Sequence, residues 1–448
     1  RRTSGDTGET TKTYDETGNL LSSVDARSVT TAYGHDALNR LTRVTHQAAG
    51  ADGELFTWEY DDALGGALVA ATFPGGSSSY AYDAQGHLTS ETLEVDGRAL
   101  VTGYRYDAQS GHVTAVGYPS GRTLELTWAA GVPTAVAVVV AGQGSTPVAD
   151  QLELDVFGSP ARWRWLLASG ATAAYERTRD GSGRPWRYPV GSTWRELSYD
   201  AAGRIIGYAH GEPALDETFA YDGRDRLVGY TRLGASHTVT YDATGDRTAL
   251  DGTAWATDPA SHRLVTRTGS AGAAQYAFDA AGNLLGDGTL SATYGLDGRM
   301  VRLARSGVTA TYGYDGSGRR VRKAVGGGEL RFVYDTQGHL LGEYDAGGAA
   351  VREYLWVGGT LLAFFYGAEL FFVQTDHLGA PRAAFDTAGR ERWRWLSGPF
   401  GDEPPEQSPV AGLSAVELPL RFPGQYADSE SGLFSVSYTH LTLPTNRE

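Results

Sequence analysis

Asp376 and His377 stand side by side, and a carboxylate next to an imidazole is a ready source of acid or base catalysis near neutral pH. Carboxylates abound elsewhere. Tyr14-Asp15, Tyr82-Asp83, Tyr199-Asp200, Tyr221-Asp222, Tyr241-Asp242, Tyr314-Asp315 and Tyr334-Asp335 supply aspartates from which a glycosidase pair could be drawn, given a defined separation. His87, His112 and His339 are of a type that ligates metals. Arg162-Trp163-Arg164-Trp165, echoed by Arg392-Trp393-Arg394-Trp395, alternates cations with indoles, as surfaces for single-stranded nucleic acid do.

The spacing of these residues argues for structure before chemistry. Tyr82-Asp83-Ala84-Gln85-Gly86-His87-Leu88 returns as Tyr14 to Leu20, Tyr199 to Ile205, Tyr314 to Arg319 and Tyr334 to Leu340. Asp followed three residues later by Gly matches a type I turn whose carboxylate accepts from the turn's own amides, with Gly in the left-handed conformation. Such a turn makes a hairpin. Upstream, Tyr80 and Tyr82 alternate with Ser79 and Ala81, which puts both rings on one strand face. An Asp that recurs in one turn position is structural first. The histidines fall where other copies carry Arg or Asn, which points to surface or cross-strand roles. No metal-ligand spacing such as His-Glu-x-x-His occurs, so neither metal nor cofactor is expected. Asp376-His377 lacks a Ser-centred elbow or third member, and His377-Leu378-Gly379 before Pro381 reads as a strand entering a fixed turn. In the Arg-Trp runs, alternation places indoles on one face and guanidiniums on the other, packed against repeat carboxylates.

At 448 residues the chain exceeds one compact core, and the repeat favours an extended β architecture over several domains. Its 60 glycines and 25 tyrosines fit tight turns between short aromatic strands. A formal charge of -15 argues against a nucleic-acid partner. There are no cysteines, which removes disulfides and thiolate chemistry. The longest apolar run, Ala135 to Ala141, is too short to span a bilayer and reads as a buried strand bounded by Pro133 and Gly142. The chain opens without an initiator Met or a signal-like stretch, so it reads as an internal fragment.

Along the chain, copies such as Tyr33 to Leu41 put Asn39 in the glycine position, the next best choice for a left-handed residue. The repeat fades between Tyr118 and Gly191 and resumes from Tyr199 to Leu340. No linker separates the units, which predicts one continuous sheet. After Leu340, single-copy signatures take over: Thr375 to Arg382, Pro399-Phe400-Gly401 and Leu420 to Tyr426.

With its Tyr-Asp repeats and these later motifs in order, the chain resembles the bacterial RHS (YD-repeat) family of polymorphic toxins with an RHS repeat-associated core domain. The resemblance implies a repeat region over 1–345 and a truncated core domain over 346–434. It implies an all-β fold, a long spiralling antiparallel strip of hairpins forming part of a hollow shell. The structural signature then comprises Asp376, His377, Gly379, Pro381, Arg382, Pro399, Phe400, Gly401, Arg421, Phe422, Gly424, Gln425 and Tyr426. In that family the shell encloses a C-terminal toxin and an aspartyl autoprotease in the core domain releases it. Tyr-lined strands around another polypeptide would need no compact apolar core. The family motif should continue beyond Ser431-Gly432-Leu433-Phe434. Here the chain runs instead into a stretch without Gly, Ala or Asp, so 435–448 reads as a non-native, adapter-like tail. The protease residues therefore have no matching positions, and no enzyme activity is expected of this chain. The expected partner is its own missing toxin, with secretion-system or carbohydrate partners in addition. No transmembrane segment is expected, and the location is secreted or cell-surface. The competing reading is an adhesion scaffold whose aromatic residues bind carbohydrate.

Overall fold

The computed structural model describes residues 1–270 and 272–436, and the backbone of 439–442. Most of the expected adapter-like tail thus lies outside the described residues. Within them the fold is β throughout, with two 3₁₀ turns at Asp62–Leu64 and Pro213–Leu215. Strands follow sequence order in every sheet, each antiparallel to its neighbours. Sixteen strands run from Arg2–Ser4 to Thr172–Glu176, eleven from Thr178–Arg179 to Gly272–Gln275, and thirteen from Ala277–Phe278 to Glu391–Arg394. A small sheet starts at Gln425–Asp428.

The predicted single sheet is therefore divided. One residue marks each division: Arg177 lies between the strands Thr172–Glu176 and Thr178–Arg179, and Tyr276 between Gly272–Gln275 and Ala277–Phe278. The chain stays extended while its pairing switches from one sheet to the next, which is how corners are made in folded sheets. The third sheet crosses positions 345 and 346 unbroken, as Leu340–Asp345 pairs with Ala350–Val357.

The repeat turn has the expected geometry. Gly86 donates to the Asp83 carbonyl at 3.0 Å with φ at 85°, and Asp83 Oδ1 accepts from the amides of Gln85 and His87, both at 2.9 Å. Asn39, in its left-handed position, has φ at 62°. The residue four after the Asp has a more specific role than the sequence indicated. His87 Nδ1 donates to Asp83 Oδ2 at 3.0 Å and its ring stacks on Tyr106 at 4.7 Å, while Tyr106 Oη donates to the Leu88 carbonyl at 2.9 Å. Arg204 does the same with Asp200 and Tyr221, whose hydroxyl reaches the Ile205 carbonyl at 2.8 Å. In the unit at Asp335, His339 plays this part beneath Trp356, whose Nε1 donates to Leu340. Each aromatic ring thus lids the previous turn, and successive hairpins interlock.

Where the Tyr-Asp signature fades, the turns persist. Asp155 makes the same backbone bonds, and because Ser159 stands four residues on, Arg179 supplies the guanidinium from two strands away at 2.5 Å. The run from Ala135 lies in strand Val132–Val140 up to Val140, with Ala141 opening the turn; the strand includes Pro133 beside a bulge and buries alternate residues such as Val136 and Val138. Trp163 and Trp165 share a face as expected, and that face is the buried one. Arg162 and Arg164 pair with Glu176 and Asp150 on adjacent strands instead of with repeat-turn carboxylates.

The first sheet meets the third along its length at a steadily changing offset. Arg27 donates to the Gly295 carbonyl 268 residues away, Glu54 accepts from Leu296 at a separation of 242, Arg122 pairs with Glu353 at 231, and Tyr175 bonds Thr375 at 200. A strip that touches itself at such a regular offset is a spiral, and one turn takes about that many residues. The apolar core lies along this seam: Leu93, Leu124, Trp163 and Trp165 from the first sheet pack with Val333, Leu355 and Phe372 from the third. A substantial core is thus present, because the seam between turns excludes water whatever the wall encloses.

Candidate functional site

Thr375-Asp376-His377-Leu378-Gly379-Ala380, expected to differ from the repeats, folds as one more repeat turn. Gly379 has φ at 90° and donates to the Asp376 carbonyl at 3.1 Å. Asp376 Oδ1 accepts from Leu378 and Ala380 amides, both at 2.9 Å. Ala380 occupies the lock position and has no side-chain donor, so Arg382 takes over, with Nε and Nη2 each 2.8 Å from Oδ2. Asp376 is fully buried. Burial works to raise its pKa, but the charge and hydrogen bonds of Arg382 outweigh this and the net shift is downward. An ionised, inaccessible carboxylate with four donors has no lone pair poised for general base chemistry. Pro381 opens the next strand, Pro381–Asp386, where a missing N–H is tolerated.

His377 faces away from this turn toward the second sheet. Its Nδ1 lies 3.3 Å from Tyr188 Oη, which in turn lies 3.5 Å from Arg195 Nη1. The guanidinium can only donate, so Tyr188 Oη accepts from Arg195 and its hydroxyl is shared with the His377 ring. Burial depresses the His377 pKa. Asp376 opposes that, while Arg382, Arg195 and Arg177 reinforce it. Arg195 Nε also donates to His210 Nε2 at 2.8 Å, which requires His210 to be neutral. Burial, then the charge of Arg195, pushes His210 down to about 4. His377, Arg195, Arg382, Tyr208, Glu217 and Phe422 border one cavity of about 160 Å³ between the second and third sheets.

The other signature residues form the support of this region. Arg382 stacks over Trp395 at 4.6 Å, and Phe422 meets the edge of the same indole at 5.2 Å. Gly401 has φ at 70°, and a Cβ there would come within 2.5 Å of the Phe422 ring. Phe400 reaches the second sheet beneath Arg247 at 4.6 Å, and Pro399 borders the cavity. Arg421 lies over Trp393 and Trp395, and burial lowers its pKa to about 10. Phe422 to Gln425 makes a tight turn, in which Gln425 N donates to the Phe422 carbonyl at 2.8 Å and Gly424 has φ at 77°.

Tyr426 leads to a second centre that sequence reasoning missed. Glu343 is fully buried and accepts from Tyr354 at 2.5 Å, Arg352 at 2.8 Å and Tyr426 at 2.9 Å. Its neighbour Glu353 accepts from Tyr344 at 2.7 Å, and from Ser120 and Arg122 across the seam at 2.9 and 2.6 Å. Asp428 accepts from Arg320 and Lys323 at 2.6 and 2.8 Å. Glu343 and Asp428 dock the segment 420–428 onto the third sheet, while Glu353 ties that sheet to the first. Alternating Glu343-Tyr344 and Glu353-Tyr354 was the one available sequence clue, and nothing distinguished Arg195 or Glu217.

The teneurin YD-shell model matches residues 164–440, and the RHS repeat model matches 14–51, 60–99 and 82–123. Toxin protein Tse5 of Pseudomonas aeruginosa is 36% identical over 80 residues, covering 18% of this chain and 6% of that protein. Double-stranded DNA deaminase toxin A of Burkholderia cenocepacia is 26% identical over 444 residues, covering 90% of this chain and 29% of that protein. The TcdB2-TccC3 structure without its hypervariable C-terminal region superposes with a TM-score of 0.75 at 16% identity, over 99% of this chain and 26% of that one. The Photorhabdus luminescens Tc holotoxin pore gives 0.71 at 15% identity, over 98% and 25%. The chain thus spans less than a third of the length of these relatives. Interlocked Tyr-Asp hairpins, a spiral seam and family models matching most of the length lead to one assignment: the chain belongs to the teneurin YD-shell family, built from RHS repeats.

Proposed function

We propose that this chain is a wall segment of an RHS-type shell that encloses a C-terminal toxin for delivery to other cells, and that it is not itself an enzyme. The observation that carries this reading is the seam, where the strip returns on itself at a regular offset and seals with an apolar core. Such a wall separates two compartments. The relatives named as toxins, and the likeness to a TccC3 structure from which a hypervariable C-terminal region has been removed, support cargo held on the inner side. In this reading 1–345 forms the repeat wall. Residues 346–434, docked through Glu343, Glu353 and Asp428, form the core domain that closes it, and 435–448 is foreign. The product would be secreted or surface-delivered. The test is limited proteolysis of the complete gene product. A downstream polypeptide that resists protease until the wall is unfolded supports the reading, and one digested as fast as an isolated peptide refutes it.

A further inference from the structure

We infer that a cavity between the first and third sheets is a binding site for a small uncharged aromatic molecule, held against Trp128 and Trp356. In the ordinary repeat unit a guanidinium lies beneath a tyrosine, as Arg40 does under Tyr60, Arg226 under Tyr241 and Arg319 under Tyr334. Two units carry a histidine under a tryptophan instead. His112 stacks on Trp128 at 4.2 Å with 5° between the planes, in a turn one residue longer than that at Asp83, and His339 stacks on Trp356 at 4.7 Å with 19° between them. The pairs are far apart in sequence and lie on different sheets, yet the seam brings both to the border of one cavity of about 460 Å³. A third imidazole lock, His87 beneath Tyr106, adjoins it: His87 Nε2 lies 3.5 Å from where a Cβ on Gly111 would stand, and Gly111 is on the cavity border. The exchange of guanidinium for imidazole is thus gathered around this cavity.

The lining suits such a ligand. Its volume falls within the range of about 300–1,000 Å³ usual for small-molecule pockets. The buried side chains of Leu124, Leu341 and Val357 border it, and the half-buried Val116 and Leu126 extend the apolar surface. Both indole N–H groups are spent within the wall, Trp128 on the Val113 carbonyl and Trp356 on that of Leu340, each at 2.8 Å. What the two rings offer the cavity is therefore apolar surface held in one orientation. Among the described residues no Lys or Arg borders it, and its one carboxylate, Asp335, is taken up by the amides of Gln337 and His339 and by His339 Nδ1. A charged ligand would find no counter-ion here, and a sugar would have to desolvate hydroxyls against aliphatic side chains. One polar group is left over. Tyr104, 7% exposed, borders the cavity, and its hydroxyl has no hydrogen-bond partner among the described residues, so a heteroatom on the ligand can complete it. Thr336, Gln337, Gly358 and Gly359 are exposed and lie on the same border, which leaves a way in from solvent.

Fluorescence titration of the full chain with N-phenyl-1-naphthylamine, an uncharged probe that brightens in apolar surroundings, should show saturable binding that indole displaces and cellobiose does not. Trp128→Tyr combined with Trp356→Tyr gives both units the tyrosine that other hairpins carry, so the locks survive. Probe affinity should then fall about tenfold, as loss of about two methylenes' worth of contact does. Leu126→Trp, at a half-buried position, fills the cavity and should abolish binding. Urea unfolding establishes that each variant is folded. Absence of saturable binding to the wild type overturns the inference, as does wild-type affinity in the folded variants, or displacement by cellobiose and not by indole.

Discussion

Arg382 closes Nε and Nη2 on one oxygen of Asp376, each at 2.8 Å, from six residues along the chain, where an ordinary repeat uses the fourth. The displacement draws the guanidinium under Trp395 and Phe422, so a repeat turn becomes the anchor of the signature region. Both groups are buried, unlike the turn at Asp83. Asp376→Ala should therefore destabilise by about 3–5 kcal/mol, the cost of leaving a buried charge uncompensated. Asp83→Ala should cost distinctly less. Urea unfolding of the two variants checks the contrast, and equal losses would show that burial at Asp376 adds nothing.

The interlock predicts coupling between successive hairpins. Removing the hydroxyl in Tyr106→Phe deletes its bond to Leu88 and should cost about 0.5–1.5 kcal/mol. His87→Ala and Tyr106→Ala should be non-additive in a double-mutant cycle because their rings stack at 4.7 Å. Strict additivity would mean the repeats stand independently.

Acid should unfold the wall in two stages. His210, with its pKa lowered to about 4 mainly by burial, is neutral when folded and protonated when unfolded between pH 6.5 and 4. Because the unfolded state binds the extra proton, this contribution is complete above pH 6.5 and declines as pH falls, by at most about 1.4 kcal/mol per unit. Asp15, lowered to about 2 chiefly by its Thr17 hydrogen bond, and Asp222, lowered to about 2 by Arg226, act later. Their contribution is complete above pH 4 and disappears between 4 and 2. Unfolding midpoints against pH should lose part of the upper slope in His210→Gln, leaving the share of the other histidines that burial lowers, His46 and His377, and keep the lower slope. An unchanged upper slope would contradict the assignment.

Tyr426 and Asp428 hold the segment 420–428 through buried carboxylate and cation partners. Tyr426→Phe removes one of three donors to Glu343 and should loosen the preceding loop. Digestion by a Glu-specific protease at Glu406 and Glu417, both exposed, should then quicken severalfold. Wild-type digestion rates would argue that Tyr426 does not dock this segment.

The sequence made the hairpin legible because its determinants are local: an Asp, a Gly three residues later and an aromatic strand lie within one turn. Asn39 in a left-handed position and the alternation of Trp163 and Trp165 could be read for the same reason. The lock made by His87 or Arg204 was missed, because its other half is a Tyr in the next hairpin. The corners at Arg177 and Tyr276 leave no mark, since both residues continue an extended strand. Other contacts were invisible for a deeper reason: their partners lie on distant strands, and only the spiral brings Arg122 to Glu353 or Tyr188 to His377.

The spiral itself can be measured through Asp96 and Arg322, which form an ion pair at 2.8 Å across the seam. The chain has no cysteines, so Asp96→Cys with Arg322→Cys gives two unique spin-label sites, and loss of one half-exposed pair costs little. Electron–electron dipolar spectroscopy should return a single distance at the short end of its range. An uncurled strip with strands about 4.8 Å apart would hold the two positions roughly 110 Å apart, and a distance beyond the measurable range would contradict the spiral wall.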